Sequence, residues 1–141
     1  MPTLTLHLGL HKTGTTAFQV ALFGQRELLA QNGIVYPKRK ANHSEDLYTM
    51  FSSKPEVYLP NVVEQRVGDA LEQYRNDCFD AWRQILTDAP DDAHILVSGE
   101  DLSLLDQEGW MALLDFFGPY VSDVQAVAVV LERLDKLRQR I

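Results

Sequence analysis

Residues 6–18 read "LHLGLHKTGTTAF". The stretch before and into it, Thr3 to Leu8, alternates and is rich in β-formers, which predicts a buried first strand. The common phosphate-binding loop reads G-x-x-x-x-G-K-[ST]. Gly9 and Gly14 keep its glycine spacing and Thr16 its hydroxyl position, but Thr15 stands where the lysine belongs, and Lys12 precedes the second glycine by two residues. A glycine-bearing turn between a strand and a helix aims several backbone N–H groups at one spot, where the helix dipole also favours negative charge. Lys12 adds a cation, and Thr13, Thr15 and Thr16 add hydroxyl donors. The bland alternative is a threonine-rich helix cap with Lys12 in solvent. Two glycines, a lysine and three threonines directly after a strand are more than a cap requires, so the stretch reads as a phosphate cradle.

Outward from the cradle, Thr15, Phe18, Ala21, Leu22 and Leu29 recur at helical spacing, with Asn32-Gly33 as a left-handed stop. "IVYP" is a second strand ended by Pro37, completing the first part of a βαβ unit. Residues 38–60 keep no sustained period, carry three basic residues, His43 and two prolines, and read as a binding or lid loop. A long helix is predicted from Val63 through Val67, Ala70, Tyr74, Cys78 and Ala81 to Ile85. "HILVS" is a third strand, residues 106–117 a helix stopped by Gly118-Pro119, and "QAVAVVL" a fourth strand. Leu131, Leu134, Leu137 and Ile141 then form the stripe of a terminal amphipathic helix. Strands alternating with helices predict an α/β fold, a parallel sheet covered by helices on both faces.

The 141 residues make one domain, and 45% apolar composition supports a packed core. A net charge of −7 argues against nucleic acid as a partner, so an anion must be held by a local device. Cys78 is the single cysteine; it has no internal disulfide partner, and its helical apolar context reads as a buried thiol. No stretch approaches the length of a membrane span and no signal peptide is present, so the expected setting is cytoplasmic.

The order K-T-G-T-T, with its strand and helix, resembles the 5′-phosphosulfate loop of the sulfotransferase family, which uses PAPS (3′-phosphoadenosine 5′-phosphosulfate). "LHLGLHKTGTT" is similar to the form found in bacterial sulfotransferase-like proteins, as are "NGIVYP", "ANH", "ILVSGEDLSLL" and "VAVVLER" in the same order. The resemblance implies a P-loop NTPase-like sulfotransferase fold and transfer of a sulfuryl group from PAPS, without a metal, to a hydroxyl or amine on a small-molecule or glycan acceptor. It makes Lys12 the electrophilic clamp and Thr13, Gly14, Thr15 and Thr16 the cradle, with His11 lining the pocket. Such a reaction needs positioning and charge stabilisation more than covalent help. It also needs a base. His43 is one candidate, against a solvated loop histidine. Glu100, just past the third strand, is another, against a cap or structural acceptor. His7 reads as packed.

The resemblance also implies an arginine for the 3′-phosphate, matched by Arg133, and a serine several residues on, which is not found before Ile141. A solvated helix-start arginine is the alternative for Arg133. Family members continue beyond this point, so the expectation is a partial domain over residues 1–141, C-terminally incomplete, slow or inactive in sulfate transfer, and self-associating through its unfinished sheet and terminal helix. Two other readings stay open: a P-loop nucleotide kinase or NTPase, with "HILVSGED" as the nearest acidic strand end, and a non-catalytic remnant that binds an anion or a partner.

Overall fold

A computed structural model describes residues 1–9 and 15–128, except for the side chain of Thr15. Four strands form one parallel sheet: β1 (Thr3–His7), β2 (Ile34–Val35), β3 (His94–Ser98) and β4 (Asp123–Val127), in the order β2-β3-β1-β4. Each residue of β1 is paired on both sides, from Thr3 with His94 and Asp123 to His7 with Ser98 and Val127. β4 begins two residues before the expected "QAVAVVL", because its Asp123 is drawn into register with Thr3.

The helices are α1 (Thr15–Gly24), α2 (Arg26–Gln31), α3 (Ser44–Phe51), α4 (Leu59–Val63), α5 (Asp69–Asp88) and α6 (Gln107–Phe117). The single first helix expected up to Asn32 is thus two, interrupted at Gln25, while Gly33 takes the left-handed stop with φ of 80°. The expected long helix is also divided. Gln65 and Gly68 both have positive φ, 55° and 54°, which ends α4 and starts α5 afresh at Asp69. Val63 and Val67 therefore leave the buried stripe and stand in solvent.

The segment 38–60, expected to be an irregular binding or lid loop, contains α3. Six of the eight residues of α3 are buried, among them Ser44, Asp46 and Thr49. A helix buried nearly all round with polar side chains inside shows no apolar period, which is why its pattern is invisible in the sequence.

Leu4, Leu6, Ile95 and Val97 point to one face of the sheet and form the core with Leu47, Met50 and Phe51 of α3, Cys78, Trp82 and Leu86 of α5, and Leu113 and Phe117 of α6. Side chains alternate along a strand, so Thr3, Thr5, His7, His94 and Ser98 face the other way. There Thr3 and Thr5 are half-buried and His94 is exposed. The Thr3 and Thr5 hydroxyls bond the two ring nitrogens of His94, the latter at 2.7 Å. Among the described residues no helix is long and apolar enough to cross a membrane.

Candidate functional site

From β1 the chain crosses past β3 to β2, returns to β3, and then passes over to β4 on the far side of β1. Connections therefore diverge between β1 and β3. In open α/β sheets the crevice at the carboxyl ends of such a strand pair is where ligands bind. His7 and Ser98 are the register partners that close this pair. The connection from β1 to α1 starts at that edge with the buried Gly9 and ends at Thr15. His11, Lys12, Thr13 and Gly14 lie outside the described residues, as does Arg133. Thr16 is exposed in the first turn of α1.

Ser98, fully buried, ends β3 and gathers several hydrogen bonds. Its hydroxyl accepts from Gln19 Nε2 at 2.9 Å and lies 2.8 Å from His7 Nδ1. The Tyr36 hydroxyl, which donates to the Ala41 carbonyl, also interacts with it. The His7 ring packs edge-on against Phe18. Burial lowers the pKa of His7 below the ordinary histidine value, and the charge of Glu100 acts in the opposite sense. Glu100 is therefore within electrostatic reach of the end of β1.

The residues after β3 are clasped to the start of α3. His43 N–H donates to the Ser98 carbonyl at 2.8 Å, and Ser98 N–H donates to His43 Nδ1 at 3.0 Å. Asn42 Nδ2 donates to Glu100 Oε2 at 3.0 Å while its Oδ1 accepts from Ser44 N–H at 2.8 Å. Ser44 Oγ accepts from Asp101 N–H at 3.0 Å. Gly99 permits this approach: a Cβ there would lie 2.8 Å from Ser44 Oγ and 2.9 Å from Ser44 N. On the outer side, the Tyr58 hydroxyl donates to Asp101.

The two candidate bases differ sharply. His43 is 1% exposed, and its Nε2, 3.1 Å from the Pro37 carbonyl, must carry the proton because Nδ1 is accepting. Burial lowers its pKa to about 4, with the Pro37 bond and the Asp46 charge opposing. It is a neutral ring with both nitrogens engaged by backbone. Glu100 is half-exposed at the crevice and has one oxygen oriented by Asn42. Of the described candidates, Glu100 and Thr16 have surface open to a ligand, and His43 stands behind them as a strut.

A second buried network anchors the basic segment before α3. Asp46 accepts from Arg39 Nε and the Tyr74 hydroxyl at 2.7 Å each and from Trp82 Nε1 at 3.0 Å. Burial works against its ionisation, but these bonds outweigh it and hold the carboxyl below its usual range. Glu45 pairs with Lys40 and with Arg66, whose guanidinium stacks 3.7 Å over Tyr74. Arg39 and Lys40 thus each form an ion pair with α3. Cys78 is buried as expected, and burial pushes its thiol up to about 12, far from a reactive thiolate.

Sequence reasoning missed Gln19, Asn42, Ser98 and Asp46. Two local signals exist in hindsight: a glutamine inside an otherwise apolar run of α1, and an asparagine two residues before a helix-starting serine. The chain matches no protein-family model, and no curated protein matches it with significant similarity.

Proposed function

We propose that the crevice between β1 and β3 binds 3′-phosphoadenosine 5′-phosphosulfate, and that the chain is a sulfotransferase domain or its N-terminal part. The observation that supports this reading is the described end of β1, from which the K-T-G-T-T stretch follows in sequence. β1 ends where the strand connections diverge, and its last residue, His7, feels the charge of the partly exposed Glu100. The ten-residue helix α1 follows, with the exposed Thr16 in its first turn. Lys12, Thr13, Gly14, Thr15 and Thr16 would hold the 5′-phosphate, with His11 beside them and Arg133 for the 3′-phosphate.

When bound, such a nucleotide supplies an activated sulfuryl group. Glu100 then accepts the proton given up by the acceptor hydroxyl or amine, with Asn42 fixing the carboxylate's orientation. Lys12 and the loop's N–H groups stabilise the negative charge left on the phosphate. His43 positions Ser98 and α3 rather than exchanging protons, as its two backbone bonds require. A reducing, cytoplasmic setting accords with the single buried Cys78.

One observation favours a second reading. Glu100 and Asp101 both follow β3, where a nucleotide kinase could hold Mg²⁺. The two readings differ in the nucleotide preferred. For the first, titration of wild type and Lys12→Ala with adenosine 3′,5′-bisphosphate is the test. Lys12→Ala should weaken binding by on the order of 1.5–3 kcal/mol, the worth of a charge-assisted contact, with the melting temperature of the free protein nearly unchanged. A large loss of stability without ligand would instead make Lys12 a structural residue.

A further inference from the structure

α4 is built inside out. Its one buried residue is the polar Asn61, whose Nδ2 donates to Thr49 Oγ1 at 3.0 Å and to the Pro55 carbonyl at 2.9 Å. Successive helix positions turn by about 100°, so Leu59 and Val63, two residues to either side of Asn61, point the opposite way. They are 69% and 66% exposed, and Val57, Val62 and Val67 in the same stretch are exposed as well. A surface helix ordinarily turns its apolar side inward. Here polar bonds hold the reverse pose. Arg66 N–H donates to the Asn61 carbonyl at 2.9 Å, and Arg66 Nη1 donates to Asn61 Oδ1 at 3.1 Å. The same guanidinium pairs with Glu45 of α3 at 2.6 Å and stacks on Tyr74 of α5. A buried amide and an arginine thus keep a cluster of aliphatic side chains in water, and clusters of that kind mark interaction surfaces.

The charges around the cluster define what fits it. Glu56, Glu64, Asp69 and Glu72 are all exposed. Glu56 and Glu72 line one cleft together with Pro55 and Leu71. Arg75 lines it too, but its Nε and Nη2 both donate to the Met50 carbonyl. Val57 shares a second cleft with Leu104, itself 60% exposed, and with Lys54. Of the cations between residues 54 and 72, Lys54 is exposed and Arg66 is paired with Glu45. Two copies meeting through this surface would set these four carboxylates against the same four. An anionic lipid surface would meet the same repulsion. We infer that Val57, Leu59, Val62, Val63 and Val67 form a docking surface for a basic amphipathic helix of a partner protein. Its apolar side chains cover the aliphatic cluster, and its lysines or arginines meet the surrounding carboxylates. The surface shares no residue with the crevice of the proposed function.

The probe is an amphipathic helical peptide of leucine and lysine, about 18 residues long, titrated by calorimetry into the full chain. Two controls carry glutamate in place of lysine or serine in place of leucine. The leucine–lysine peptide should bind and both controls should not. Leu59→Ser with Val63→Ser should weaken binding about tenfold or more. Glu56→Gln with Glu64→Gln should weaken it about threefold and flatten its dependence on salt. Met111→Ser, which removes a 56% exposed apolar side chain from α6, should leave affinity unchanged. The substituted side chains are all exposed, so the melting temperature of the free protein should hold. No binding, equal binding of either control peptide, or equal losses in Met111→Ser and the Leu59/Val63 variant overturn the inference. So does dimerisation of the chain, or its binding to phosphatidylserine–phosphatidylcholine vesicles, that Leu59→Ser with Val63→Ser abolishes, since a second copy or a membrane is then the occupant. If that double variant does not fold, Val67→Ser, between α4 and α5, decides in its place.

Discussion

On one face of the sheet Leu4, Leu6, Ile95 and Val97 are buried under α3, α5 and α6. On the other face of the same strands, Thr3, Thr5 and His94 meet through hydrogen bonds, and α1 touches down by Gln19 and by Phe18 on His7. The contrast is encoded in the alternation of β1, T-L-T-L-H, which sends every leucine one way and every polar residue the other. Burial of apolar area scales with the surface removed from water, whereas an exchanged hydrogen bond contributes little net free energy but fixes geometry. The leucine face therefore carries the stability and the threonine–histidine face carries the positions. The crevice lies where the two meet, at the ends of β1 and β3.

The largest effect that could break this comparison is on the packed side. Trp82 is fully buried, touches His43 and Phe117 edge-on, and donates to Asp46. Trp82→Ala should destabilise the protein by about 3–5 kcal/mol in urea unfolding. A loss below about 1 kcal/mol, no more than an ordinary surface substitution, would mean that the core is not where stability resides.

Acid should also attack the packed side. The folded pKa of His43, about 4, lies below its ordinary value of 6.5. The unfolded chain therefore binds the proton first. The stability due to keeping this ring neutral is complete above pH 6.5 and is lost as the pH falls from there to about 4. The span corresponds to roughly 3 kcal/mol, and the lowered pKa of His7 acts in the same direction. The lowered pKa of Asp46 adds a further loss at lower pH, as that carboxylate is protonated. Urea midpoints measured across this range should decline steadily. A flat profile between pH 6.5 and 4 would contradict the neutral, doubly bonded His43.

The smallest effect belongs to the polar face. Thr5→Val removes the hydroxyl that bonds His94 Nε2 but keeps the β-branched shape on a half-buried strand. The change in stability should stay within about 1 kcal/mol. A loss as large as that of Trp82→Ala would erase the distinction between the faces.

What was legible in the sequence follows the same division. β1, β3 and α6 carry concordant local signals. The apolar runs have the right period, Asp106 caps α6 by accepting from Gly109 N–H at 2.8 Å, and Gly33 occupies its left-handed stop. α3 was illegible because Ser44, Asp46 and Thr49 are buried polar residues that interrupt any apolar stripe. The break between α4 and α5 depends on the conformations of Gln65 and Gly68, which no hydrophobic count detects. At the candidate site, Glu100 could be placed because a residue after a strand must lie at the sheet's edge. Its orientation by Asn42, and the convergence of His7 and Gln19 on Ser98, join residues 58 to 91 positions apart and appear only once the chain is folded.

The central claim is that the crevice recognises a sulfonucleotide by its loop rather than a nucleoside triphosphate by a metal. Calorimetric titration of the chain with adenosine 3′,5′-bisphosphate and, separately, with ATP and Mg²⁺ tests this most directly. The account predicts tighter binding of the bisphosphate, with no requirement for Mg²⁺. Preference for ATP with an absolute need for Mg²⁺ would contradict it and make the carboxylates after β3 metal ligands instead.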